Sequence, residues 1–129
     1  MGNSINARIF SKAILRAMET KDCRHQHGAV LFRGERILAS GHNKRINPGY
    51  LRRHGYDQDM VHAEADCLEK VFLPAIKSYK NTELLVVRVY KGNLRCSRPC
   101  NACLNYVKSK GIKTVWYTID NGDIERMEI

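Results

Sequence analysis

Two short segments, far apart in the chain, each place metal-binding side chains where a helix is expected to begin, and any fold must bring them together. The first is His62-Ala63-Glu64 and the second is Pro99-Cys100-Asn101-Ala102-Cys103. One imidazole and two thiolates fill three corners of a zinc tetrahedron and leave the fourth to water. Glu64, two residues from the histidine, is placed to move that water's proton. At a helix start, the positive end of the helix dipole lowers the cost of keeping Cys100 and Cys103 deprotonated. Glu64 is expected not to be a ligand, because its carboxylate in the open position would displace the water.

Other uses of these residues stay open on sequence alone. A C-x-x-C pair also suits thioredoxin-like redox chemistry, although that reading leaves the histidine–glutamate pair unexplained. A closed structural zinc site needs a fourth protein ligand, and Cys96, Cys67, His54 and Cys23 are candidates. Cys96 also stands close enough in sequence to compete with Cys100. The five cysteines are an odd number without a secretion signal, which argues against a disulfide framework. Cys67 reads as a small core residue on the apolar side of a helix.

The 129 residues suit one domain, 1–129, with an ordinary soluble composition. Residues 3–20 read as a first helix, with Ile5, Ile9, Phe10, Ile14 and Met18 on an apolar side and Arg8, Lys12 and Arg16 as a basic stripe. Those charges argue against a signal peptide, and no apolar run approaches the roughly 20 residues needed to span a bilayer, so a cytoplasmic location is expected. Residues 29–32 and 37–39 read as strands joined by a tight turn at Arg33-Gly34-Glu35-Arg36. Residues 44–58 read as a long loop.

A second helix is expected over residues 60–73, with Asp59 as its N-cap and Val61, Ala65, Leu68 and Phe72 facing inward. Residues 84–89 are almost wholly apolar, as in a strand covered on both faces. Pro99 suits the first turn of a third helix running to Lys110 and stopped by Gly111. Residues 112–119 form the next strand, and Asn121-Gly122 favours a two-residue hairpin returning antiparallel through residues 124–129. The element order predicts a central mixed sheet with helices packed on its faces.

With these elements in place, the chain resembles the zinc-dependent cytidine and deoxycytidylate deaminase superfamily (the CMP/dCMP-type deaminase domain), which also contains tRNA adenosine deaminases. The resemblance is carried by the two chelating segments, by Gly28-Ala29-Val30-Leu31 and by Gly41-His42-Asn43. It implies a three-layer α/β/α cytidine-deaminase-like fold with a mixed sheet of about five strands and one catalytic zinc ion per chain. It further implies His62, Cys100 and Cys103 as ligands, with Glu64 cycling between base and acid as water replaces the amino group at C4 of cytosine, or at C6 if the base is adenine. Asn43 would hydrogen-bond the sugar or base. The backbone N–H groups of Ala63 and Cys100 are candidate donors to the substrate or the attacking oxygen.

The net charge of +9 favours anionic partners without choosing between a nucleotide and a nucleic acid. Lys44, Arg45, Arg52 and Arg53 beside the expected pocket suit a phosphate clamp, as does Arg98 next to Pro99, and each is equally readable as solvated surface. Tyr50, His54 and Tyr56 could stack on a base or cover the loop. The antiparallel ending lacks the C-terminal helix with which tRNA deaminases help grip RNA. A free cytosine nucleotide or nucleoside, with dCMP or CMP favoured, is therefore the expected substrate. Cytosine or adenine in single-stranded DNA or RNA, another aminated heterocycle, and a non-catalytic structural-zinc module binding nucleotide or nucleic acid are the alternatives. A homo-oligomer is implied by the resemblance, and no membrane partner is expected.

Overall fold

The computed structural model describes residues 5–20, 25–44 and 61–129. Its sheet is organised around the apolar run expected to be covered on both faces. This run is β3 (Glu83–Tyr90), in which Leu84, Leu85, Val86 and Val87 are each at most 1% exposed. Alternation sends Leu84 and Val86 to one face and Leu85, Val87 and Val89 to the other. Burial on both sides requires a helix layer above and below the strand, and the chain supplies both.

On one edge of β3 lies β1 (Gln26–Arg33), antiparallel, followed outward by β2 (Arg36–His42), also antiparallel. The other edge carries β5 (Thr114–Thr118), parallel, and then β6 (Ile124–Glu128), antiparallel to β5. A short strand, β4 (Asn93–Arg95), pairs antiparallel with the end of β3. The main order is β2-β1-β3-β5-β6, with β4 completing a six-stranded mixed sheet. The expected antiparallel ending is present.

Helix α1 (Ala7–Met18) covers one face, and α2 (Ala63–Glu69) and α4 (Asn101–Ser109) share the other. Asn6 caps α1, its Oδ1 accepting from the Arg8 N–H at 2.9 Å and the Ile9 N–H at 3.4 Å. The buried seam is Ile9, Ala13 and Ala17, whereas Met18, expected on the apolar side, is 61% exposed. The small residues matter because Gly28 of β1 lies directly beneath them. A Cβ at Gly28 would collide with the Ala13 carbonyl oxygen and lie 2.7 Å from the Ala17 nitrogen. The helix is thus held against the strand backbone itself.

Three elements differ from expectation. The helix expected over residues 60–73, with Asp59 as N-cap, instead begins at Ala63 with His62 as N-cap and ends at Glu69, and the chain restarts as the single turn α3 (Leu73–Ile76). Pro74 occupies the first turn of α3, where its fixed φ and missing N–H cost nothing, so it opens a helix instead of closing one. Phe72, in extended conformation between the two, is 68% exposed and not inward-facing. The strand β4 follows a two-residue turn, Lys91-Gly92, with φ of 50° and 79°, the left-handed geometry that matches strand twist. Finally, β5 and β6 separate after the Thr118–Ile124 pair, giving a longer connection than Asn121-Gly122 alone suggested.

A buried carboxylate ties the outer strand to α2. Asp66 accepts from the Lys44 and Lys70 ammonium groups, each at 2.9 Å, and from the His42 N–H at 3.0 Å. Burial alone would raise its pKa, but those three donors outweigh it and hold the carboxyl below its ordinary value. A carboxylate with a depressed folded-state pKa stabilises the fold above its unfolded pKa of about 3.9, and that contribution disappears as pH falls through the folded value. Asp66→Asn should therefore lower stability at pH 7 by about 1–3 kcal/mol. It should also flatten the loss of stability below about pH 4. Calorimetric melting of both proteins across that range checks both effects.

Candidate metal centre

The candidate ligands His62 and Cys100 both stand at helix termini, and the two termini converge. His62 is the N-cap residue of α2 and Cys100 that of α4, each in extended conformation (ψ of 156° and 169°). Their side chains therefore project at the ends of two neighbouring helices packed on the same sheet face. The relative placement is fixed at both ends of α4. The phenol of Tyr106, 1% exposed, donates to Glu69 Oε1 of α2 at 2.7 Å. Before α4, the buried Ser97 hydroxyl donates to the Val86 carbonyl and accepts from the Thr118 N–H, both at 2.7 Å. The approach to Cys100 is thus bolted to β3 and β5.

The candidate ligand atoms of His62, Cys100 and Cys103 all lie within 4.8 Å of one another. Zinc–sulfur bonds of about 2.3 Å and zinc–nitrogen bonds of about 2.0 Å need tetrahedral edges of roughly 3.5–3.8 Å. Shifts of a few tenths of an ångström to about 1 Å therefore suffice, and this His/Cys/Cys group could hold one zinc ion. His62 Nδ1 is 3.0 Å from Cys103 Sγ, which makes Nδ1 the nitrogen directed into the cluster. The Cys100 sulfur also accepts from the Cys103 N–H at 3.5 Å, the capping position of α4.

The electrostatics suit metal ligation. Hydrogen bonds from Cys103 and His62 outweigh burial and draw the Cys100 pKa down to about 3. For His62, burial pulls the pKa down, but the Cys100 sulfur and the Glu64 carboxylate outweigh it and leave the pKa raised. Cys67 behaves oppositely: burial pushes its thiol up to about 12, and it stays outside the cluster in the core. Among the described residues, no fourth histidine, cysteine or carboxylate joins the three, Cys96 included. His54 and Cys23, the other candidate fourth ligands, lie outside the described residues.

Glu64 is in the first turn of α2 and 4% exposed. Burial raises its pKa, against the opposing pull of His62 and a hydrogen bond with Cys103. Such a carboxyl takes up a proton more readily than an exposed one, as a group that both accepts and returns protons must.

Asn43 is almost fully buried behind this face. Its Oδ1 accepts from the Thr20 hydroxyl at 2.7 Å and the His27 N–H at 2.9 Å, while Nδ2 donates to the His25 carbonyl at 2.9 Å. One amide hydrogen is left for any other acceptor. Ala63 is fully buried as the first residue of α2, where helix N–H groups lack intrahelical acceptors. Arg98 is exposed, immediately before the buried Pro99. Arg45, Arg52 and Arg53, with Tyr50, His54 and Tyr56, lie outside the described residues. Lys44, the expected loop's first residue, forms a β-bridge with Val61 and an ion pair with Asp66.

Two further residues belong to this face and were not singled out from the sequence. His27 and Arg88 are direct partners across β1 and β3, on the side that alternation assigns to Ala29 and Val86 and hence to the metal cluster. Burial first, then the charges of Arg88, His62 and His25, push the His27 pKa down to about 4, leaving a neutral imidazole within electrostatic reach of His62. The available signal was Arg88, the one charge within the otherwise apolar run from Leu84 to Val89.

A family described as the cytidine and deoxycytidylate deaminase zinc-binding region matches residues 4–119. Among solved structures, the apo dCMP deaminase of cyanophage S-TIM5 superposes with a TM-score of 0.62 at 22% identity, covering 88% of this chain and 81% of that one. The same enzyme in complex with dCMP and dUMP gives 0.58 at 21% identity, covering 91% and 85%. No curated protein matches the chain.

Proposed function

The chain belongs to the cytidine and deoxycytidylate deaminase zinc-binding family, and from that premise we propose that it is a zinc-dependent hydrolase converting a cytosine nucleotide or nucleoside, dCMP or CMP favoured, to the uracil form with release of ammonia. The observation that carries this reading is the three-donor cluster with the buried carboxyl of Glu64 in the same helix turn as His62. A similar fold in a phage enzyme crystallised with dCMP and dUMP supports the choice of base and phosphorylation state.

In this reading His62, Cys100 and Cys103 hold the ion. Bound there, zinc supplies the Lewis acidity that makes water a competent nucleophile near neutral pH. Glu64 does the proton work. It takes a proton from the attacking water and delivers it to N3 of the ring. It then takes the remaining proton from the hydroxyl added at C4 and passes it to the departing amino group, so that the C4 carbonyl forms as the C4–N bond breaks and ammonia leaves. The raised pKa of Glu64 favours this cycling, since the protonated acid is less costly to form. Asn43, with its remaining amide hydrogen, and the Ala63 N–H are the proposed donors to sugar and base, and Arg98 is a proposed phosphate contact at the rim.

No described helix is long and apolar enough to cross a membrane. An ammonia-release screen of the zinc-loaded protein across dCMP, CMP, deoxycytidine, cytidine, adenine derivatives, single-stranded DNA and tRNA tests the reading. The expected result is turnover of a free cytosine compound, with dCMP best. Release from a polymer alone would move the assignment to nucleic acid, and release from none of them would leave a binding module.

A further inference from the structure

Beyond His27, the metal-bearing face continues into a basic cavity of about 490 Å³ lined by His25, Arg88, Tyr90, Arg95 and Asp120. We propose that Arg88 and Arg95 are the subsite for the terminal 5′-phosphate of the substrate, with His25 and Tyr90 as its wall, an assignment that rests on the deaminase reading above.

The first support is an arrangement that is unfavourable by itself. Arg88 and Arg95 are direct partners across the β3–β4 pair, so their side chains share a face. Like charges placed opposite one another destabilise a sheet. Among the described residues neither guanidinium is paired with a carboxylate. Asp120, the one acidic group lining the cavity, accepts instead from the Cys96 N–H at 2.9 Å. A dianion between the two arginines turns that repulsion into attraction.

The second support is that Arg88 is held in place without being neutralised. Its Nη1 donates to the Cys96 carbonyl at 3.2 Å and its Nη2 to His25 Nδ1 at 2.7 Å. An arginine only donates, so His25 Nδ1 is an acceptor there. The His25 ring is in turn stacked on Tyr90, with centroids 4.9 Å apart. Both contacts orient the guanidinium plane and leave its positive charge in place. Its Nε is buried without a hydrogen-bond partner among the described residues.

The third support is position. His27, the cross-strand partner of Arg88, is within electrostatic reach of His62. Tyr90 lies two residues further along β3, roughly 7 Å at the usual strand rise. The cavity therefore lies on the sheet face that carries the metal cluster, with Arg88 in its lining as the cross-strand partner of His27, where a phosphate joined through a sugar to a base at the cluster is proposed to sit. The β4 hairpin is what brings Arg95 to this place.

The test compares wild type, Arg95→Gln and Arg88→Lys. Arg95 is the cleaner site, because no side-chain hydrogen bond or ion pair of it is present among the described residues. Arg88→Lys keeps the charge and removes the planar fork. Loss of a charge-assisted contact should lower kcat/KM for dCMP by roughly 10–100-fold in Arg95→Gln. Deoxycytidine should fall far less, because it presents no phosphate. Equal losses on both substrates, or an unchanged dCMP rate, would overturn the subsite. Calorimetric titration with dUMP and deoxyuridine decides it separately from turnover. If no ammonia is released from any substrate, the deaminase reading falls, yet dUMP binding more tightly than deoxyuridine, with the difference abolished in Arg95→Gln, still upholds the subsite. Equal affinities of the two ligands overturn it. So does an oligodeoxycytidylate that binds wild type more tightly than dUMP and is weakened as much by Arg95→Gln, since its phosphates are diesters.

Discussion

Glu64→Ala is expected to lower the rate of ammonia release by roughly 10²–10⁴-fold while the purified protein still carries one equivalent of zinc. The two halves of that result belong together. The ligand atoms of His62, Cys100 and Cys103 form a compact group that does not include the Glu64 carboxylate. Removing the carboxylate therefore leaves all three donors in place. What disappears is the proton carrier, and with it the steps that need a proton moved to the ring nitrogen and to the leaving group. Glu64→Gln keeps the volume and an acceptor oxygen in a site only 4% exposed, so it controls for packing. Zinc content by atomic absorption, measured on the same samples as the ammonia assay, checks both halves. Loss of zinc in both variants would instead make Glu64 a ligand.

The second large effect concerns the metal. Cys103→Ala removes the fully buried sulfur that lies 3.0 Å from the His62 imidazole within the three-donor group. Losing an outer-shell partner typically costs 10–100-fold in metal affinity, and losing a ligand should exceed roughly 10²-fold. Ammonia release should fall with it. Because ligation draws two helix termini together, zinc binding is also linked to folding, and chelation should lower Tm in wild type but not in Cys103→Ala. Cys67→Ala is the informative control. Cys67 is equally buried, yet its thiol is pushed up to about 12 and packs in the core away from the cluster. It should retain one equivalent of zinc and lose only packing stability. A competitive titration with a chromophoric chelator ranks the three proteins.

How far sequence carried can be read from particular residues. The run Leu84 to Val89 announced a strand buried on both faces, because only an interior strand has no polar side to alternate with. Gly28 and Gly41 sat in segments singled out for their resemblance, and their physical role is close approach. A Cβ on Gly41 would lie 2.5 Å from the Cys67 nitrogen of α2, just as one on Gly28 would strike α1. His62 and Cys100 were legible as lying near helix starts from the chelating spacing, whereas Pro99, expected in the first turn, precedes the Cys100 N-cap and stands outside α4.

The elements that escaped notice were short or depended on tertiary contacts. Three residues, Asn93-Leu94-Arg95, are too few to show a periodicity, and β4 exists because Lys91-Gly92 turns tightly enough to pair it with β3. The Gly92 signal is the same in kind as Asn121-Gly122 but weaker, because lysine rarely adopts positive φ. The early end of α2 is equally non-local. Phe72 has the right spacing to face inward, but Pro74 draws the chain into a new turn and leaves the ring exposed. Arg88 and His27 stand 61 residues apart in sequence and meet only through strand register. No linear motif could join them.

Everything proposed for the centre depends on a fourth coordination position that remains available to solvent. A crystal structure of the zinc-loaded protein measures this directly. The expected result is His62 Nδ1 and the Cys100 and Cys103 sulfurs on the ion, with a solvent oxygen completing the tetrahedron at hydrogen-bond distance, about 2.6–3.2 Å, from Glu64. A protein side chain in that fourth position, or a Glu64 carboxylate turned away from it, would contradict the account.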